Sequence, residues 1–468
     1  MSESTSEVSI GAPAQDTPSG LARLMAAPAL KAVMIGGLLL LMLIPLQYVS
    51  AIIQEREARQ AEVVREFQRS WGPAQSVTGP ILVVPYWTSP DKPRRYLHVA
   101  PSEAKTTVQL TPELRKRGLF HSVVYTAAVR LSGAFVMPPD VAAPDGAALL
   151  WPEAFVVLTA SDLRALKSTA SLSWSGRALP WSDCPQMADG TCGDEPFVVA
   201  RPALAAPPAA GRAIPFDTQF ELRGTSAFRF APIGQEVDLA LSAPWPTPSF
   251  VGAILPATSR VTADAFEAAW HVSSNVATGR AVWSSSSVLG GQGWRQPEDQ
   301  IGVELLEAVP TYQMVDRASK YAILFLALSF LTYFLFELVS RARIHFVQYG
   351  MMGASIALFS LLLISLSEPL GFEQGYAISS ALILLQASLY TAAVTRRWGL
   401  ALKFLAILAA LFGFLYVVLT LETYSLVTGS LALFVTLSLV MVVTRRLDWS
   451  GPRAELRGPA VEAGLPPA

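Results

Sequence analysis

The sequence predicts a membrane α + β protein: a six-helix transmembrane bundle with a large, mainly antiparallel β domain inserted between helices 1 and 2. Three observations lead to this prediction: a shortage of charge, six long apolar stretches, and a period-two pattern between the first two of them. Charged residues make up 15% of the 468 positions, against about a quarter in typical soluble proteins. Nine of them lie among the 123 residues 321–443, whereas 50 lie among the 267 residues 54–320. The chain thus joins a membrane part to a soluble part, which excludes a soluble cytosolic enzyme.

Six apolar stretches are long enough to cross a membrane as helices. A hydrocarbon core about 30 Å thick needs about 20 apolar residues of helix, and a helix satisfies the backbone hydrogen bonds that lipid cannot. A flexible tail of residues 1–31 comes before these stretches, and a second tail of residues 444–468 follows them. The predicted spans are residues 32–53, 321–340, 347–367, 376–395, 401–420 and 425–443.

The first span has two interpretations. Val49-Ser50-Ala51 resembles a signal-peptide cleavage site, but the apolar run is longer than the usual 7–15 residues of a signal peptide. An uncleaved anchor is therefore favoured. In either case the segment that follows is exported.

The positions of Lys and Arg beside the spans predict that both termini are cytoplasmic. With this orientation eleven Lys and Arg residues lie on the cytoplasmic side, and the outer loops 368–375 and 421–424 contain none. Basic residues concentrate in the cytoplasmic loops of membrane proteins. Residues 54–320 are then expected outside the cytoplasm.

The exported segment begins with a predicted stalk helix and continues with strands. Gln54–Phe67 is rich in charge and helix formers, and Trp71-Gly72-Pro73 ends the helix. Apolar and polar residues then alternate from Val123 to Phe135 and from Phe220 to Phe230, which is the pattern of a strand with one buried face. Shorter strands are predicted at Ile81–Trp87, Leu97–Ala100 and Phe155–Leu158.

Turn and cap signals complete this prediction. We expect Pro232-Ile233-Gly234 to join the strand ending at Phe230 to a second hairpin arm at Val237–Leu241. Thr111-Pro112-Glu113 is expected to open a short helix closed by Gly118, and Ser161-Asp162 another. A sandwich or a pair of sheets is the expected architecture.

The two cysteines are candidates for a disulfide. Cys184 and Cys192 both lie in the exported segment, within a loop containing Pro, Gly and Asp. An oxidising compartment favours a bond that fixes this loop. Two free thiols are the alternative.

The sequence contains no motif for a nucleophile, a metal site or a nucleotide-binding loop, so no catalytic residue, metal or cofactor is predicted. Glu337 is the one ionisable residue within a span and away from an obvious boundary. Intramembrane carboxylates are functional candidates. Alternatively, Glu337 reaches the headgroups or pairs with Arg341 four residues on.

Several separated blocks resemble the CreD family of bacterial inner-membrane proteins, and the resemblance runs from about Lys31 to Trp449. It implies a multi-pass protein of the bacterial inner membrane, linked to cell-envelope integrity and stress, with residues 54–320 periplasmic and with no established enzymatic activity. The blocks are Ser70–Pro73, Thr78–Ile81, Trp245–Gly252 with Leu255-Pro256, Asp316–Ile323 running on to Glu337, and Leu366–Glu368 with Gly371-Phe372.

Two of these blocks contain candidate binding residues. Prolines preset extended backbone and aromatic rings supply apolar area, so one block is a candidate periplasmic binding ledge, formed by Trp245, Pro246, Pro248 and Phe250. A buried corner of the β domain is the alternative. In the second block, Arg317 and Lys320 are candidates for the membrane interface, where they would meet anionic headgroups or the acidic residues of the stalk.

Three functions remain open. The first is a non-enzymatic envelope-stress protein whose exported domain binds an envelope component or a partner protein. The second is a transporter or channel formed by the C-terminal helices, and the third is an anchored hydrolase. Besides the lipid bilayer, no partner is identified. The net charge of −1 gives no argument for nucleic acid, and the oligomeric state is open.

Overall fold

The computed structural model contains two compact units, which are described separately. One unit comprises residues 56–310, and the other comprises the chain up to Glu55 together with Thr311 onward. The structure describes residues 28–89, 92–139, 141–167, 171–183, 197–252, 254–273, 281–286, 288, 299–306, 311–340, 345–421 and 425–445. Cys184 and Cys192 lie outside these residues.

Six α-helices are described, of which the first contributes to both units. Five of them, α1 to α5, are long and apolar enough to cross a membrane. The sixth coincides with the predicted span 425–443, and its crossing of the membrane remains a prediction. The helices are α1 (Pro28–Trp71), α2 (Thr311–Ser340), α3 (Phe346–Leu370), α4 (Phe372–Thr395), α5 (Trp398–Thr420) and α6 (Ser425–Thr444).

Small and aromatic residues pack the helical unit. A Cβ atom on Gly353 of α3 would lie 2.9 Å from the sulfur of Met42 on α1, so the glycine permits close helix contact. Phe325, Phe359 and Phe412 cluster with ring centroids 4.6–6.3 Å apart. The N-terminus of α3 is capped by the His345 side chain.

The β unit consists of a nine-stranded and an eight-stranded sheet. The nine-stranded sheet contains β1 (Gln75–Tyr86), β2 (Arg95–Val99), β5 (Phe155–Ala160), β8 (Ser182–Asp183), β9 (Phe197–Ala200), β11 (Ala227–Ala231), β13 (Pro248–Val251), β16 (Val282–Ser285) and β17 (Ile301–Leu305). The eight-stranded sheet contains β3 (Glu103–Arg117), β4 (Phe120–Val136), β6 (Ser171–Trp174), β7 (Arg177–Pro180), β10 (Ala213–Thr225), β12 (Glu236–Ala243), β14 (Thr258–Val261) and β15 (Phe266–Ser273).

Both sheets are mixed, although most pairs of neighbouring strands are antiparallel. The nine-stranded sheet has the order β13-β17-β11-β1-β5-β9-β8, with β2 beside β1 and β16 beside β2; the other sheet has the order β14-β15-β12-β3-β4-β10-β6-β7. Two of the pairings, β1 with β11 and β3 with β12, are parallel.

The main core contains inward-facing residues of both sheets, including Val84, Phe135, Phe228 and Trp270. Each buried aromatic side chain of this kind contributes about 1.5–3 kcal/mol. A second cluster, which includes Ile81, Phe155 and Val199, is formed by the alternate residues of the nine-stranded sheet. The central strands of the nine-stranded sheet are therefore buried on both faces. For this reason the sequences of β5 and β9 are almost continuously apolar.

Two local predictions are wrong. Thr111–Gly118 is not a helix, because β3 continues to Arg117, where it pairs with Phe120 of β4. The Thr-Pro-Glu signal for a helix start is overridden by this long cross-strand pairing. Gly118, at φ +63°, lies instead at the turn of the β3–β4 hairpin.

The expected hairpin through Pro232–Gly234 is the second error. The alternation from Phe220 to Phe230 is split at Ser226, which has a φ of +64°, and the chain passes from one sheet to the other. β11 therefore joins the nine-stranded sheet, whereas β12 joins the eight-stranded sheet. By contrast, Asp162 caps a short 3-10 helix, Leu163–Ala165, at the predicted position.

The end of α1 is fixed to the β unit by a joint centred on Trp71. The indole nitrogen of Trp71 donates to the Tyr125 carbonyl oxygen at 3.1 Å. The guanidinium groups of Arg115 and Arg223 lie 3.9 and 4.6 Å from the indole centroid, within the range of cation–π attraction. The Thr225 hydroxyl donates to the Gly72 carbonyl oxygen at 2.6 Å. The last turn of the stalk is thereby held against β3, β4 and β10.

Candidate functional site

The exposed face of the eight-stranded sheet, here called the polar face, contains two open depressions. Their volumes are about 680 and 460 Å³, within the range of small-ligand sites. Thr107 lines both, so the depressions are adjacent. The larger one is lined chiefly by polar residues of β3, β4, β6 and β10, and the smaller by residues of β3, β12, β14 and β15.

Strand register places these residues in one row. Thr107 lies between Arg130 of β4 and Ala240 of β12. Beyond them the row continues to Gln219 of β10 on one side, and to Ala269 of β15 and Thr258 of β14 on the other. Six strands at about 4.8 Å spacing give a row about 24 Å long. An extended ligand could therefore contact both depressions at once.

The depressions of the polar face arise from differences in side-chain size. Ala128 lines the larger depression, and Ala240 and Ala269 line the smaller one. Short side chains leave the sheet surface low, while longer neighbours such as Arg130 and Arg260 stand above it. The alanines are thus the positions at which added bulk would fill the depressions.

The charged residues that line the larger depression are paired with opposite charges. Arg130 Nε lies 3.0 Å from Asp217 Oδ2, and Lys167 Nζ lies 3.1 Å from Glu221 Oε2. The uncharged lining groups are hydroxyls and amides, including Thr107, Gln109 and Gln219. This combination suits a polar, largely uncharged ligand better than a polyanion.

His271 lies on the same face, two residues along β15 from Ala269. Its Nδ1 is 2.7 Å from Asp238 Oδ1, and its Nε2 is 3.3 Å from Glu236 Oε2. The hydrogen bond to Asp238, reinforced by the two carboxylate charges, raises the pKa of His271. Among the residues that the structure describes, no group of three His, Cys, Asp or Glu side chains could hold a metal ion.

We expect Asp238→Asn to lower the pKa of His271 towards its ordinary value of about 6.5. Because the folded-state pKa is raised, the stabilisation from this contact is complete below the pKa of the unfolded chain. It is lost as pH rises through the folded-state value. Titration of the histidine NMR resonances measures the shift. Asp217→Asn, on the same face but paired with Arg130, is the control and should leave His271 unchanged; an equal effect of both variants would contradict the assignment.

The ledge residues lie at the edge of the nine-stranded sheet. The indole nitrogen of Trp245 donates to the Leu306 carbonyl oxygen at 2.7 Å, and Trp245 is half-buried against the main core. Phe250 packs edge-on against Phe266 and Trp270, with centroids 5.9 and 5.8 Å away. Of the prolines, Pro246 is exposed and Pro248 begins β13. The aromatic rings thus have structural contacts, and a binding role for the ledge remains a prediction.

The charged candidates of the helical unit all lie on α2. Lys320 Nζ is 2.6 Å from Asp316 Oδ2, one helical turn away, and Arg317 is on the same turn. Glu337 accepts a hydrogen bond from the Tyr349 hydroxyl of α3 at 2.9 Å, so it joins two helices. Its expected alternative partner, Arg341, lies outside the described residues. Two cavities between the helices have volumes of only about 50 and 20 Å³.

The polar face was not predicted as a site. The period-two pattern of β4 and β10 already separates Arg130 and Gln219 from the buried residues. On β3, however, Thr107 and Gln109 precede the misleading helix signal at Thr111. The parallel pairing of β3 with β12 joins segments more than 130 residues apart, and no short-range signal indicates it.

These features define a class: a multi-pass membrane protein with one span-length helix before a large β domain and further span-length helices after it. The profile of the family described as inner membrane protein CreD matches residues 27–450. The chain therefore belongs to the CreD family of inner-membrane proteins.

Two other proteins are similar to this chain, one in sequence and one in structure. Inner membrane protein CreD of Escherichia coli (strain K12) is 27% identical over 427 residues, which cover 88% of this chain and 92% of that protein. A crystal structure of a candidate nutrient binding protein from Legionella pneumophila is 7% identical, with a TM-score of 0.23, over 55% of this chain and 76% of the other. So low a TM-score carries no argument about fold or function.

Proposed function

We propose that this inner-membrane protein supports cell-envelope integrity by binding an envelope component on the polar face of its β domain. The pair of adjacent depressions that share Thr107 is the observation that supports the proposal. A row of about 24 Å suits a segment of a polymer better than a single small molecule. The ligand is a polar, largely uncharged polymer rich in hydroxyl and amide groups, or a partner protein that presents such groups.

The proposal is for binding without catalysis. Serine and threonine hydroxyls line both depressions, but the described lining residues include no histidine or cysteine. A serine nucleophile needs an adjacent base to be activated. The hydroxyls of the polar face are better suited to donating and accepting hydrogen bonds than to attacking a substrate.

The orientation forms part of the proposal: six spans, both termini cytoplasmic, and residues 54–320 in the periplasm. The eleven basic residues on one side of the spans support it. Fusions of a periplasm-active phosphatase after residue 375 and after residue 468 test it. Activity of the first fusion alone is expected, and activity of the second would contradict the orientation.

Deletion and complementation test the role in the envelope. Removing the gene from its host should sensitise cells to detergent and to enzymes that degrade the cell wall, and expression of the full chain should restore resistance. A deletion strain as resistant as its parent to each challenge would contradict the proposal.

A further inference from the structure

Gln386 is an exposed amide at the centre of a helix long enough to cross the membrane. It lies on α4, and the predicted span 376–395 has its midpoint beside Gln386. Each end of that span is about 14 Å from Gln386 along the helix axis, which is further than a glutamine side chain reaches. The other two glutamines of residues 321–443, Gln348 and Gln374, lie instead in the first turns of α3 and α4. The Gln386 amide therefore lies at the depth of the hydrocarbon core.

This amide has no hydrogen-bond partner among the residues that the structure describes. A hydroxyl group on a helix can bond to the carbonyl oxygen one turn before it, as Thr391 of α4 does with Ala387 at 2.8 Å. A carboxamide has two N–H donors and a carbonyl acceptor. Leaving these groups unpaired in hydrocarbon is strongly unfavourable, because no water replaces the missing bonds. An exposed amide at this depth thus calls for a donor and an acceptor from a second molecule.

Gln386 belongs to a stripe of exposed residues on α4, here called the α4 stripe. Leu385 and Leu389, which flank the amide, are 58% and 50% exposed, so this side of the helix faces away from the rest of the helical unit. Ala377 and Ala381 have the small-xxx-small spacing that allows two helices to approach closely. Exposed residues recur every three or four positions, which places them on one face of the helix. The stripe comprises Ala377, Ile378, Ala381, Leu382, Leu385, Gln386, Leu389 and Ala393.

A second copy of this chain supplies the hydrogen-bonding groups that the α4 stripe lacks. Copies inserted in one membrane share the same orientation, so a two-fold axis along the membrane normal brings equal positions together at equal depth. Gln386 of one copy then meets Gln386 of the other. Each amide donates through its N–H and accepts through its carbonyl oxygen, which gives two reciprocal hydrogen bonds. Lipid tails offer neither group, and an unrelated helix would need both at this one depth.

We propose that the α4 stripe is the interface of a homodimer within the membrane, joined by reciprocal hydrogen bonds between the two Gln386 amides. Polar side chains of this kind associate membrane helices, and the alanines let the backbones approach. The interface involves α4 alone and requires only that α4 crosses the membrane. It is independent of any ligand on the polar face of the β unit.

Disulfide crosslinking in the membranes of expressing cells tests this interface. The full chain carries Leu389→Cys, about one turn from Gln386, with Cys184 and Cys192 replaced by serine. A disulfide needs Cα atoms within about 7 Å of each other, so it forms only where two α4 helices pack together. We expect a disulfide-linked dimer from this variant and none from Phe434→Cys, which is exposed near the centre of α6. Co-purification of two differently tagged copies that keep both native cysteines provides a second measurement.

Substitutions of the amide make the test specific. Gln386→Leu should raise the dissociation constant in liposomes about tenfold, as expected for the loss of two interhelical hydrogen bonds. Its apolar side chain suits lipid, so the monomer should accumulate normally. Gln386→Asn keeps a carboxamide and should retain most of the association. Gln374→Leu, at an exposed position in the first turn of α4, should leave the dissociation constant unchanged.

Three results would overturn the proposal. The first is a dimer whose dissociation constant is unaffected by Gln386→Leu, and the second is equal crosslinking from Leu389→Cys and Phe434→Cys. The third is the absence of both crosslinking and co-purification. That last result would assign the amide to its own chain, where Ser355 and Tyr390 line the small cavity beside it.

Discussion

Replacing Ala128 and Ala240 together by tryptophan should abolish envelope protection while leaving the protein folded in the membrane. Ala128 lines the larger depression and Ala240 the smaller, and both are exposed. An indole at each position fills the space that a ligand would occupy. Exposed substitutions usually change stability by less than about 0.5 kcal/mol, and tryptophan is well tolerated in strands. The effect should therefore be on binding rather than on folding.

The matched control for this double variant is Ala213→Trp. Ala213 is exposed at the start of β10, on the same face as Gln219 and about 20 Å along the strand from it. Cells of the deletion strain that express each variant are challenged with detergent, and the amount of protein is measured by immunoblot. The control should protect as well as the parent, and each single replacement should protect partially. A double variant that accumulates normally and protects fully would contradict a ligand site on the polar face.

Gly72→Ala should strongly destabilise the β unit. Gly72 has a φ of +127°, which side chains with a Cβ rarely adopt, and strain of this kind costs about 1–3 kcal/mol. The added Cβ would also lie 2.8 Å from the Arg223 carbonyl oxygen and 3.0 Å from the Ala165 Cβ. Overpacking of this kind costs about 1–3 kcal/mol more. We therefore expect the free energy of unfolding of the β unit to fall by about 2–6 kcal/mol.

Denaturant unfolding of the purified protein, followed by tryptophan fluorescence, measures this change. Gly146→Ala is the control, because Gly146 also has a positive φ, +67°, but has open space at the Cβ position. It should cost only about 1–2 kcal/mol, the price of the left-handed conformation alone. Equal losses for the two variants would mean that the close packing behind Trp71 contributes nothing.

The fold was predictable from sequence where the cause is local. The alternation from Val123 to Phe135 predicted a strand because one face of β4 is buried along that stretch. The stalk helix ends at Trp71 because Gly72 and Pro73 do not continue it. The sheet assignment of β11 depends instead on the left-handed conformation of Ser226, a residue that rarely adopts it, and no sequence pattern indicates it.

Prediction of the candidate site was limited by long-range pairing. Thr107 and Ala240 are neighbours only because β3 and β12 pair in parallel, and this pairing brings the two depressions together. For the same reason the surroundings of Trp245 could not be predicted, since its hydrogen bond is to Leu306, 61 residues away. Composition identifies which part of the chain is soluble, but non-local contacts determine where its polar residues meet.

Photo-crosslinking from Thr107 in living cells tests ligand binding by the polar face most directly. A benzophenone side chain at position 107 lies between the two depressions, and the same side chain at position 213 samples the same face outside them. We predict a reproducible adduct with an envelope polymer or protein from position 107, none from position 213, and loss of the adduct when Ala128 and Ala240 are both tryptophan. Equal yields from the two positions would contradict ligand binding by the polar face. An adduct that persists when Ala128 and Ala240 are both tryptophan would contradict it as well.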